Sequence, residues 1–166
     1  MTIRPARPDD AAGIARVYNE GIEERMATFE TEPRSEKYTR EWIENNPERF
    51  PILVAELDGR VVAWAAVQEY RARECYRGIG EYSIYVGSDA RGRGVGKALM
   101  EALIDAARNK GFWKILSRVF PQNMASRSLC ARTGFREVGV YKKHAELDGV
   151  WRDVIIVERL IEENMD

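Results

Sequence analysis

Residues Arg91 to Met100 read RGRGVGKALM: three glycines at alternate positions, two arginines, and a lysine at the head of an apolar run with helical spacing. Glycine in a helix interior costs about 1 kcal/mol relative to alanine, so three of them at a helix entry imply a backbone that something must approach closely. The free N–H groups of a first helical turn, with the positive end of the helix dipole, make an anion site. Successive bare amides can form a nest around oxygen atoms, and Arg91, Arg93 and Lys97 add charge that a phosphate can use. The chemistry that suits this pattern is phosphate binding. Two common phosphate motifs fail on spacing. A P-loop needs Ser or Thr after Gly-Lys, but Ala98 follows Gly96-Lys97, and Arg91 stands where the first glycine belongs. A dinucleotide fingerprint needs G-x-G-x-x-G, whereas Gly92, Gly94 and Gly96 are spaced two by two. The plainer reading is a glycine-rich strand-to-helix turn with solvated arginines.

The elements that must position this turn are legible on either side of it. GEYSIYV before it reads as a strand, and a helix is expected from about Gly94 to Asn109, with Val95, Leu99, Ala102, Leu103 and Ala106 as its apolar stripe and Gly111 beyond its end. At the start of the chain, TIRPA is a short strand. RPDDAAGIARVYNEGI follows as a helix that buries Ile14, Val17, Tyr18 and Ile22, with Pro8, Asp9 and Asp10 at its entry. A second helix over roughly Ser35 to Asn45 should stop before Pro47. PILVAELDGRVVAWAAVQEY holds two β-rich runs joined by Asp58-Gly59, a strong hairpin signal. KILSRVF is a strand, NMASRSLCARTG a short helix, FREVGVYKK a strand, HAELDG a turn and WRDVIIVERL the last strand. The order β-α-α-β-β-β-α-β-α-β-β predicts an α/β fold with a mixed sheet and helices on both faces. The crossover from GEYSIYV through the long helix to KILSRVF is the clearest parallel connection.

Composition sets the frame. The chain has 166 residues, 45% of them hydrophobic, which suits one domain over residues 1–166 with a sizeable core. Its 26 basic and 27 acidic side chains nearly cancel, so it lacks the basic excess of a general nucleic-acid or membrane-surface protein, and the charge near Arg91 is local. Two cysteines, Cys75 and Cys130, and one histidine, His144, offer neither a disulfide framework nor zinc spacing, and no metal is expected. With no apolar signal core at the start and no stretch of membrane-span length, a cytoplasmic location is the default.

The stretch Arg91-Gly92-Arg93-Gly94-Val95-Gly96 resembles the R-x-x-G-x-G/A signature of the GNAT superfamily of N-acetyltransferases, and NMASRSLCARTGF resembles that family's N-x-x-[AS]-x-x-L-x-x-x-x-G-F helix. The order of elements is similar too, so the resemblance covers nearly the whole chain. It implies a mixed, mostly antiparallel sheet of about seven strands flanked by four helices, with acetyl-CoA as co-substrate, its pyrophosphate held at the glycine turn. VYNEGI, TFETEP, EYSIYV and GVWRDV are similar to the branch that acetylates phosphinothricin, methionine sulfoximine and arsinothricin, which implies a small amino-acid substrate and a homodimer. The segment KKHAELDGVWRDV is longer and more charged than that branch leads one to expect.

Acetyl transfer from a thioester to an amine needs removal of an ammonium proton, a donor for developing oxyanion charge and provision for the leaving thiolate. The resemblance implies that Glu81 is the general base; a solvated glutamate at a strand edge is the plainer reading. It implies that the backbone of Ile84, Tyr85 and Val86 pairs with the pantetheine arm, and that Arg91 to Lys97, Asn123 and Ser126 contact the cofactor. Asn123 also suits the cap of the following helix. Cys130 stands where many relatives carry the tyrosine that protonates the thiolate; it can serve as that acid, with water as the other candidate, or pack as a small core residue. A Cys130–His144 nucleophilic pair is the sharper alternative. For the substrate, Arg71 is expected to hold an α-carboxylate, with Arg73, Tyr82 and Ser83 nearby and Phe29, Thr31 and Trp151 as pocket walls. Two other functions stay open: acetylation of a protein terminus, polyamine or other amine, and a non-catalytic CoA-binding module.

Overall fold

Two Asp-Gly pairs set the hairpins. Asp58 and Gly59 have φ of 50° and 75°, and Asp148 and Gly149 have 51° and 77°. Positive φ at both central residues is the signature of the tight turns that match strand twist. The first turn joins β2 (Ile52–Leu57) to β3 (Arg60–Glu69), as the sequence predicts. The second joins β6 (Arg136–Leu147) to β7 (Val150–Leu160) and corrects the expected HAELDG turn. Strand β6 runs on through His144, Ala145, Glu146 and Leu147, because Asp148-Gly149 alone reverses the chain and Leu147 is buried.

The computed structural model describes all 166 residues. The remaining elements are β1 (Thr2–Pro5), α1 (Ala11–Glu24), α2 (Glu36–Asn45), β4 (Ile79–Val86), α3 (Val95–Asn109), β5 (Lys114–Val119) and α4 (Met124–Arg132). The seven strands form one sheet in the order β1-β2-β3-β4-β5-β7-β6, with four helices, as the α/β reading expects. Every pair is antiparallel except β4 and β5, the two strands that α3 connects.

The helices divide between the two faces. Ile14, Val17, Tyr18 and Ile22 of α1 pack with Val54, Val61, Trp64 and Ala66 of the sheet. Val95, Leu99, Met100 and Leu103 of α3 and Leu129 of α4 pack on the opposite face, with Val67, Tyr82, Ile115 and Val157. Met100, Ile104 and Ala107 are buried on α3 together with Val95, Leu99 and Leu103, whereas Ala102 and Ala106 of the expected stripe lie at the margin of the core. Strand β4 starts close against its neighbours: a Cβ at Gly80 would lie 2.3 Å from Val67 Cγ1, so only glycine fits there.

The entry to α1 is fixed by charge. The Arg4 guanidinium donates to both Asp10 oxygens at 2.8 Å and to Glu56 at 2.8 Å, and Asp10 Oδ2 accepts from the Arg7 amide at 2.7 Å. Hydrogen bonding from Arg4 holds the Asp10 carboxyl below its ordinary 3.8. A carboxyl lowered in the folded state contributes stability that is present above the unfolded value and is lost as pH falls through the native one. The urea midpoint of the wild type is therefore expected to fall more steeply below pH 3.8 than that of Asp10→Asn. Parallel curves for the two proteins would contradict this.

Candidate active site

Strands β4 and β5 pair for three residues only, Ile79 with Lys114, Gly80 with Ile115 and Glu81 with Leu116. Beyond that point β4 keeps its partner β3 as far as Val86, and β5 keeps its partner β7 as far as Val119, but the two strands no longer pair with each other. The backbone of Tyr82 to Val86 thus has a strand partner on one side only. Buried backbone groups need partners, and an extended chain laid in the gap can supply them as an added strand does. A cleft of about 590 Å³ lies along this opening, lined by Tyr82, Ser83, Ile84, Tyr85 and Val86 on one wall and Ser117, Arg118, Val119 and Phe120 on the other.

The glycine turn closes one end of the cleft. Gly92, Gly94, Val95, Gly96 and Lys97 all line it. Gly94 has a φ of 80° at the N-cap of α3, and no side chain caps the first turn, so its amides stay available to an anion. The arginines divide their work. Arg91 donates to both oxygens of Glu24 at 2.9 and 3.0 Å and to the Val86 carbonyl at 3.1 Å, which ties the turn to the end of α1. Lys97 lies 3.6 Å from Glu101, while Arg93 has no ion pair and lies outside the lining. Arg132, at the C-terminal end of α4, lines the cleft with Gln122, Met124 and Ala125 and was not anticipated. Only tertiary packing of α4 against the turn brings it there.

Asn123 has two partners. Its Oδ1 accepts from the Ser126 amide at 3.1 Å, capping α4, and its Nδ2 donates to the Met26 carbonyl at 3.1 Å. The loop after α1 is thereby fastened to the cleft, which Met26, Ala27, Asn123 and Ser126 all line.

Glu81 occupies the last paired position before the strands separate and lies just outside the cleft lining, next to Tyr82. Its carboxylate accepts from Arg118 Nη2, an ion pair with the glutamate mostly covered and the arginine 46% exposed. Glu81 belongs to the same alternating set as Ser83 and Tyr85, whose ring stacks on Trp64 at 5.1 Å on the α1 side of the sheet. Tyr82 faces the other way. Its hydroxyl shares a 3.1 Å hydrogen bond with Cys130 Sγ, and both side chains are buried. Burial pushes the Tyr82 hydroxyl well above its ordinary value, and burial also pushes the Cys130 thiol up, so both keep their protons at neutral pH.

The other expected side chains lie apart. His144 packs against Tyr141 in the β6–β7 hairpin, ring centroids 5.0 Å apart, while Cys130 has Tyr82 as its side-chain partner, so no Cys130–His144 pair forms. Trp151 is exposed on that hairpin. Phe29 meets Phe120 edge-on at 4.9 Å and so backs the cleft from outside. Thr31, Arg71 and Arg73 are exposed outside its lining, with the Arg71 guanidinium 5.1 Å from the Tyr70 ring. No helix is long and apolar enough to cross a membrane, and no group of three or more His, Cys, Asp or Glu side chains is placed to hold a metal ion.

Residues 14–135 match the Acetyltransferase (GNAT) family. The chain is 31% identical over 159 residues to an L-methionine sulfoximine/L-methionine sulfone acetyltransferase of Pseudomonas aeruginosa, covering 95% of this chain and 92% of that one. Among solved structures it is similar to a ribosomal-protein-alanine N-acetyltransferase from Brucella melitensis, with 32% identity, a TM-score of 0.93 and coverage of 97% and 100%. It is also similar to a phosphinothricin acetyltransferase from Sinorhizobium meliloti in complex with acetyl-CoA, with 30% identity, a TM-score of 0.89 and coverage of 96% and 87%. The chain belongs to the GNAT family and is an acetyl-CoA-dependent N-acetyltransferase.

Cys75 is exposed and Cys130 buried, and neither is in a disulfide. Thiol titration of the native protein with an aromatic disulfide reagent is therefore expected to show one fast thiol, the second reacting only on unfolding. Two fast thiols would contradict the protonated, sealed Cys130.

Proposed function

We propose that the protein acetylates the α-amino group of a small amino acid or analogue of the phosphinothricin, methionine sulfoximine, methionine sulfone or arsinothricin type, in a ternary complex with acetyl-CoA. The observation that carries this reading is the position of Glu81. It is the last residue of β4 to pair with β5, it directly precedes Tyr82 and Ser83 of the cleft wall, and its carboxylate is paired with Arg118, which lines the cleft. The relatives named for these amino-acid analogues support the substrate class.

The thioester supplies an activated acyl carbon and a thiolate leaving group. The protein must deliver a neutral amine to it, since an α-ammonium is largely protonated at neutral pH. Glu81 takes one ammonium proton, directly or through water. As the N–C bond forms and the C–S bond breaks, the nitrogen passes its second proton to water and the thiolate gains one. Cys130 and water are the candidate donors of that last proton; the buried, protonated state of Cys130 leaves it with a proton to give, and its seal behind Tyr82 favours water. Phosphate recognition falls to the α3 amides with Arg93, Lys97 and Arg132, while Arg91 braces the turn.

The reading includes one catalytic domain over the whole chain, a homodimer and a cytoplasmic location. Val138, Val140, Tyr141, Val150 and Trp151 leave an exposed apolar surface on the β6–β7 hairpin, which supports a dimer contact there. The two unpaired cysteines support a reducing compartment. A second reading, acetylation of a protein N-terminus, draws on the Brucella melitensis neighbour.

Glu81→Gln is expected to lower turnover on methionine sulfone at pH 7 by about 10²–10⁴-fold while acetyl-CoA binding is kept. The deficit should shrink as pH rises, because the free amine then forms without help. A mutant-to-wild-type ratio that stays flat with pH would contradict a base role. A panel of phosphinothricin, methionine sulfone, spermidine and a peptide separates the substrate classes.

A further inference from the structure

The ion pair between Glu81 and Arg118 is poorly explained as a stabilising contact. Arg118 is half exposed, and exposed pairs contribute little to stability. It lines the cleft, and one terminal nitrogen, Nη2, meets Glu81 while no other hydrogen bond or ion pair engages the guanidinium. A guanidinium has five N–H donors in a fork that fits a carboxylate, so most of its donor capacity is unused. Meanwhile a carboxylate whose oxygen accepts from a guanidinium is not offering that oxygen to a substrate ammonium. As it stands, the pair keeps Glu81 engaged.

We infer that Arg118 is the residue that recognises the substrate α-carboxylate, and that in doing so it releases Glu81 to act on the α-ammonium. This rests on the reading of Glu81 as the base and of an amino acid as the acceptor. In an α-amino acid a single carbon separates the ammonium from the carboxylate. A contact ion pair of opposite polarity in the protein is the complement of that zwitterion, and one exchange of partners satisfies all four charges. The α-carboxylate takes the Arg118 fork, and the α-ammonium takes the vacated Glu81 oxygen, on the same wall as Ser83. A simple amine has no anion to draw Arg118 away, so it meets a carboxylate with one oxygen still held by the guanidinium. Selectivity for amino acids over amines then comes from the ground state of the empty site as well as from contacts with bound substrate.

Arg71, the arginine expected from the sequence to hold the carboxylate, is less well placed for this exchange. It leaves the end of β3 three residues beyond Gln68, the cross-strand partner of Glu81, and it sits exposed beside the Tyr70 ring. No hydrogen bond or ion pair joins it to Glu81.

The test is thiol release from acetyl-CoA by the full chain, with methionine sulfone and its decarboxylated counterpart, 3-(methylsulfonyl)propan-1-amine, as paired acceptors. Arg118→Gln is expected to lower kcat/KM on methionine sulfone about 100-fold, chiefly through KM, and to raise kcat/KM on the amine several-fold, so the ratio between the two collapses. Arg118→Lys, which keeps the charge but not the fork, should recover part of the ratio. An unchanged ratio in Arg118→Gln overturns the inference and leaves the base role of Glu81 standing. So does a ratio lost in Arg71→Ala and kept in Arg118→Gln. A wild type that acetylates neither acceptor, or a Glu81→Gln variant with wild-type turnover at every pH, overturns the inference together with the reading beneath it.

Discussion

β4 and β5 hold each other for three residues and then separate, and the rest of the site follows from that separation. A continuous ladder there would satisfy every backbone group and leave nothing to bind. By parting after Glu81 and Leu116, the strands turn the middle of a sheet into two facing edges. Such an edge ordinarily invites aggregation. Here it is recessed between α1 on one side and α3 and α4 on the other, all of which contribute residues to the cleft lining. The glycine turn sits where β4 runs out, so amides that need hydrogen-bond partners lead directly to amides that need an anion. We propose that the pantetheine arm and then the phosphates of acetyl-CoA lie there in that order.

Charge around the cleft is arranged in pairs that hold positions. Glu24 fixes Arg91, which carries the turn, and Arg91 in turn caps the Val86 carbonyl at the end of β4. Asn123 links the loop after α1 to the first turn of α4. These contacts cross between elements far apart in sequence and bring both layers of helices to the same opening. Arg93, Lys97 and Arg132 remain the less constrained cations near it. The Tyr82–Cys130 pair, protonated and sealed, belongs to the floor under the cleft.

Much of this was legible in the chain because it is written in local chemistry. Asp58-Gly59 announced a hairpin, the helical stripes announced the two layers, and the spacing of Gly92, Gly94 and Gly96 ahead of an apolar run announced the anion site. Asp148-Gly149 carried the same hairpin signal, but the polar residues before it read as a wide turn, when they are the outer end of an edge strand. What could not be read was partnership. Nothing local says that Arg91 meets Glu24, sixty-seven residues away, or that Arg118 meets Glu81, thirty-seven away. Arg132 gave no signal at all, because its place depends on how α4 packs. Sequence patterns disclose which groups a segment offers; which of them are already engaged is a property of the folded chain.

The open edge of β4 is the proposed seat of the co-substrate. Amide hydrogen exchange followed with and without a saturating concentration of CoA reads that edge most directly. Peptides covering residues 82–86 and 92–97 should both slow on addition of the ligand, while the β1–β2 and β6–β7 pairings keep their rates. Protection confined to the glycine turn, with residues 82–86 exchanging as before, would mean that the gap between the strands is not where the co-substrate lies.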